Sequence, residues 1–278
     1  MFICHKCDHD NAPVLGEQFI LQELEDQFNI ELDLYDNGKY LQLSKIKVKK
    51  EDRDKGIGSK VMSRITDYAD TQNLKIYGGF AGTETLVSDR VLGTNETILS
   101  GDLQGNDVNV ADFIANYGNT TRNADNSYHV INIKATAKNL VLDGITVSDA
   151  HNNLNATESG GAIIKHKIVA KLVLKNCIVK DNVSRNGNAG LLAEFELNNT
   201  SGTRGALVIE NTKFINNMAR WASGIYSFAR ANSNVDITIA NSLFDNNLSG
   251  NLNTTTATGL SGSAFWFIRI SSKFFNCY

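Results

Sequence analysis

The stretch "LVLDGITVSDA", Leu140 to Ala150, reads as two short strands with a glycine turn between them. Four later segments align with it without gaps: "LVLKNCIVKDN" from Leu172, "LVIENTKFINN" from Leu207, "ITIANSLFDNN" from Ile237 and "IRISSKFFNCY" from Ile268. They begin roughly thirty residues apart, a spacing at which self-similarity signals a stacked repeat. Positions one and three are aliphatic in every copy (Leu140/Leu142, Leu172/Leu174, Leu207/Ile209, Ile237/Ile239, Ile268/Ile270), which points them inward on a strand. Position five holds Gly144, Asn176, Asn211, Asn241 and Ser272, a turn where small or amide side chains fit. Position eight, Val147, Val179, Phe214, Phe244 and Phe275, is inward again on the next strand. The outward fourth position begins Asp143, Lys175, Glu210, so stacked copies oppose charges of alternating sign. One coil cannot bury its own apolar face, but stacked coils share a core. The expected architecture from residue 77 onward is an all-β right-handed parallel β-helix.

Between the aligned segments recur glycine-led strands: "GGAII" at 160, "AGLLAEF" at 189, "SGIYSF" at 223 and "GSAFWF" at 262. Ahead of them, "IYGGFAGTETLVSDRVLGTNETILSGDLQGND", residues 76–107, resembles the N-terminal region of bacterial parallel β-helix repeat proteins, found mostly on or outside the cell. With the repeats, this resemblance to the pectate-lyase-like architecture covers residues 76–278. It implies a fold and leaves function open, since such folds host lyases, hydrolases, adhesins and stalks.

The resemblance also says what catalysis would require. Lyases of this fold use Ca²⁺ held by clustered acids with a basic residue taking the proton, and hydrolases use paired carboxylates. The tenth repeat position holds Asp149, Asp181, Asn216 and Asn246. Coils stack roughly 4.8 Å apart, so Asp149 and Asp181 are a candidate acid pair. The eleventh position, Ala150, Asn182, Asn217 and Asn247, favours a structural ladder in which each amide bonds its copy above. Asp102, Asn106 and Asp107 in "GDLQGND" are candidate Ca²⁺ ligands, with a solvated loop the favoured reading. His129 and His151 are isolated and carry no assigned role.

Upstream the sequence changes character. "GEQFILQELEDQ", residues 16–27, spaces Phe19, Ile20, Leu21 and Leu24 as a helix does. "NIELDLYDNGKYLQLSKIKVKK" then predicts a hairpin: Ile30, Leu32 and Leu34 alternate, "DNG" (Asp36, Asn37, Gly38) turns, and Leu41 and Leu43 continue. Ile46 and Val48 fall on the opposite parity, so the second strand should carry a bulge near Ser44 and Lys45. Arg53-Asp54-Lys55-Gly56-Ile57-Gly58-Ser59 follows, then a helix with Val61, Met62, Ile65, Tyr68 and Ala69 on its apolar face, then the strand "LKIY". A glycine loop opening a helix between two strands suits an anion, because unpaired helix N–H groups face it.

In this context, residues 29–77 resemble the acetyl-CoA-binding segment of the GNAT acetyltransferase superfamily. The signature of Arg or Gln, two residues, Gly, one residue, then Gly or Ala is met by Arg53, Gly56 and Gly58. The resemblance implies that the backbones of Ile46 and Val48 pair with the pantetheine arm, and that the amides of Arg53, Asp54, Lys55, Gly56, Ile57, Gly58 and Ser59 hold the pyrophosphate. It stops early: the family continues with another helix, commonly carrying a Tyr that protonates the departing thiolate, and two more strands. "GGFAGTETLVSDR" has no counterpart to these.

The remaining bounds are simple. Net charge is −3, with no basic field for nucleic acid or anionic membrane. A single proline beside 22 glycines leaves the turns to Gly and Asn. No apolar run approaches a bilayer span, and no secretory signal precedes the helix region, so the expected compartment is the cytoplasm. Cys4 and Cys7 form a lone CxxC, with Cys177 and Cys277 distant; reduced thiols are expected and no metal.

The sequence therefore predicts an α/β partial GNAT-like unit at residues 1–76, joined to the β-helix at 77–278. The function it points to is acetyl-CoA-dependent N-acyl transfer to a small-molecule or protein amine. The alternatives are a non-catalytic cell-surface or secreted β-helix protein that binds carbohydrate or a partner, and a chimeric fusion of two unrelated genes.

Overall fold

The computed structural model describes residues 24, 28, 30–36, 40–48, 57–71, 75–84, 86–107, 125–133, 139–152, 161–168, 171–185, 187–195, 204–229, 233–252, 257–262 and 265–269. These residues form a parallel β-solenoid of about four turns with an N-terminal hairpin and helix.

Each coil visits four sheets in turn. One coil runs through the strands Asn139–Asp143, Ile145–Ser148, His151–Asn152 and Ile163–Ile168. The next runs through Lys171–Lys175, Ile178–Lys180, Val183–Ser184 and Leu191–Phe195. The repeat columns stack in parallel register: Leu140, Leu172, Leu207 and Ile237 are direct neighbours on the first sheet. Val147, Val179, Phe214 and Phe244 are neighbours on the second. The rings of Phe214 and Phe244 stack in parallel with centroids 5.0 Å apart. Leu140, Leu172 and Leu207 are buried, while Ile237 in the last described coil is half-buried.

The turns explain the polar columns. Asn176, Asn211 and Asn241 adopt positive φ of 53°, 49° and 51° between the first and second sheets. Asp149, Asp181, Asn216 and Asn246 do the same between the second and third. Asn and Asp tolerate this left-handed region because their short polar side chains bond locally. The glycine-led strands have a different cause. A Cβ at Gly190 would press on the carbonyl oxygen of Gly224 in the next coil, so only glycine permits that close approach.

The fifth aligned segment departs from the expectation. Ile268 pairs with Phe228 on the fourth sheet, within the strand Phe265–Arg269, and not with Ile237 on the first. The passage from the fourth sheet to the next first-sheet strand runs from Ile163 to Leu172 in one coil and from Leu191 to Leu207 in the next. Phe265 to Ile268 is too short to make it. The Phe265–Phe267 part of "GSAFWF" is thus the true repeat there, paired with Ile225–Ser227 of "SGIYSF".

The N-terminal elements are β1 (Ile30–Asp36), β2 (Tyr40–Val48), α1 (Ile57–Thr71) and β3 (Lys75–Tyr77). β1 and β2 form the expected antiparallel hairpin, and its register shift skips Ser44, where parity predicted the bulge. β2 pairs in parallel with β3, and β3 with Asn139–Asp143, so hairpin and solenoid share one seven-stranded sheet. α1 buries Val61, Met62, Ile65 and Ala69 against β2, β3 and the strand Ile131–Ile133. Those side chains belong to the same hydrophobic cluster as the solenoid interior. α1 therefore lies over the end of the solenoid and covers the side chains that a preceding coil would otherwise bury. Of the predicted helix at 16–27, only Leu24 is described; it is helical and buried.

Candidate functional site

The segment expected to hold a CoA thioester can be followed only in part. Arg53, Asp54, Lys55 and Gly56 lie outside the described residues. Ile57 and Gly58 open α1 and are half-buried, and the backbone of Ser59 is helical. Ile46 and Val48 pair with Leu32 and Ile30 of β1. β2 meets β3 only through Tyr40, Leu41 and Gln42, so beyond the bulge its second edge has no strand partner among the described residues. β3 meanwhile turns into the solenoid, with Gly78 N–H donating to the Asp143 carbonyl at 2.8 Å.

Just past the end of the β2–β3 pairing, the solenoid bonds to both segments. Thr97, first residue of β4 (Thr97–Ser100), donates its hydroxyl to the Leu43 carbonyl at 3.2 Å and accepts the Gly79 N–H at 3.0 Å. Thr97 is buried, so its hydroxyl joins β2 to the first loop of the solenoid just beyond their pairing with β3.

Of the candidate acid pair, Asp181 ends a side-chain ladder and Asp149 bonds two serines. Asn246 Nδ2 donates to Asn216 Oδ1 at 2.8 Å, and Asn216 Nδ2 donates to Asp181 Oδ1 at 3.2 Å. The Asp149 carboxylate accepts from the hydroxyls of Ser100 and Ser148. Burial holds its pKa above the ordinary carboxylate range; the two serine hydroxyls work against that rise and nearby Asp181 adds to it. The neighbouring buried column forms a ladder as well. Asn182 Nδ2 donates to Asn217 Oδ1 and Asn217 Nδ2 to Asn247 Oδ1, both at 2.9 Å, while Asn247 Nδ2 reaches the Phe214 carbonyl at 2.8 Å. Asn182 Oδ1 also accepts the Ala150 N–H. The amides of these columns are spent on neighbouring coils, as the sequence pattern suggested.

Asp102 is likewise committed to its own loop, accepting the N–H groups of Gly105, Asn106 and Asp107 at 2.7, 3.3 and 3.1 Å. Among the described residues, no three His, Cys, Asp or Glu side chains gather as a metal site. Nor is any described helix long and apolar enough to cross a membrane. Cys177 is buried against the Leu142 and Lys175 carbonyls, and burial pushes its thiol up to about 12, so it is no nucleophile. His129 Nδ1 lies 3.0 Å from the Gly161 carbonyl and His151 is buried.

Sequence reasoning missed Arg90. Its guanidinium pairs with Asp143 at 3.2 Å, both side chains being only 6% and 7% exposed. It also donates to the Gly78 carbonyl at 2.7 Å and lies over the Tyr77 ring, 4.8 Å from the centroid. The available signal was Gly144, where later coils carry Asn. Its φ is +78°, and a Cβ there would sit 2.9 Å from Arg90 Nη1.

Compared with protein-family models, curated proteins and solved structures, the chain gives no significant match. Fold and turns define its class: a parallel β-solenoid protein with stacked Asn/Asp turns.

Proposed function

We propose that this chain is a non-catalytic binding scaffold, a solenoid that presents its side to an extended carbohydrate or protein partner while the GNAT-like segment serves as its end cap. The observation that carries this reading is the shared core: the apolar face of α1 is spent on β2, β3 and Ile131–Ile133. The ladder supports it, since Asp181 takes a rung bond from Asn216 and Asp149 takes two serine hydroxyls. The double variant Asp149→Asn, Asp181→Asn is expected to keep the fold and to change no activity on polyuronides or other glycans. Loss of an established glycan-cleaving activity in that variant would replace this reading with an enzymatic one.

A second reading has one observation in its favour. β2 leaves β3 after its bulge, and the half-strand with Ile46 and Val48 is paired on the β1 side alone among the described residues. Such an edge offers backbone groups to an amide-bearing arm, and in this reading the Arg53–Ser59 loop would hold the pyrophosphate of acetyl-CoA. Bound acetyl-CoA would supply a thioester for attack by an amine. The Thr97 bridge at the strand junction ranks this reading second. Titration calorimetry with acetyl-CoA and a thiol-release assay with a panel of amines test binding and turnover separately. Heat that disappears in Gly58→Val would establish the site. No heat at millimolar acetyl-CoA would remove it.

A further inference from the structure

We draw no further inference here: the strongest candidate, the side-chain cluster in which buried Asn126 joins Asp107 to the Asp149 turn of the solenoid, carries nothing, because no three carboxylate, imidazole or thiol side chains gather as a cation site among the described residues and nothing in the structure shows what would meet the buried Asn126 Oδ1.

Discussion

At the scale of single residues, the left-handed turns carry much of the specification. Asn211 is exposed at φ 49° and its side-chain bond to Asn176 is long, at 3.4 Å, so its main task is conformational. Asn211→Ala should therefore cost up to about 1 kcal/mol, because alanine keeps the Cβ that makes this region unfavourable and loses the polar group with which Asn offsets it. Asn211→Gly should cost much less, and urea denaturation of the two variants checks the order. Asp149 gives a pH signature. Its folded-state pKa is raised, chiefly by burial, with Ser148, Ser100, Asp181 and Lys180 around it. The folded state then holds the proton more tightly than the unfolded chain does. That contribution is greatest below the unfolded carboxylate's pKa of about 4 and is lost as pH rises through the folded value. Asp149→Asn should remove this part of the decline. Parallel stability–pH curves for variant and wild type would contradict it.

At the scale of elements, the link between the N-terminal segment and the repeats is a buried ion pair. Arg90 ties the carbonyls of Gly78 and Val87 to Asp143, whose carboxylate also accepts the Asn176 amide at 2.8 Å. Removing one partner of such a pair leaves a desolvated charge and typically costs about 3–5 kcal/mol. Arg90→Met should lose that much in equilibrium unfolding, while replacing both partners by apolar residues should lose less. By contrast, the Lys175–Glu210 pair at 3.2 Å is more than a third exposed on both sides, and its removal should cost under about 1 kcal/mol.

At the scale of the whole molecule, hairpin, α1 and solenoid share one core, so damage to the cap should reach the coils. Ile65 is fully buried in that core and α1 packs on Ile131–Ile133. Ile65→Ala should cost about 2–5 kcal/mol and should speed amide exchange in Ile131–Ile133 and Asn139–Asp143 as well as in α1. Faster exchange confined to α1 would show that the cap opens as a separate unit.

The sequence by itself determined the coils. Aliphatic pairs two residues apart, a glycine or amide two residues after them and another aliphatic or Phe three further on leave one way to stack, and the four segments from Leu140 to Asn247 stack as aligned. It also determined the hairpin and its bulge, because a change of parity along β2 moves side chains to the opposite face. The fifth segment was misplaced because local pattern does not count the residues needed to travel between sheets. Only the tertiary structure decided what α1 faces. Amphipathic spacing says that a helix has an apolar side, and it is silent on whether another sheet or an open solenoid end will cover it. Arg90 and Asp143 were hidden for the same reason: partners brought together by coiling lie far apart along the chain, and no short-range period marks them.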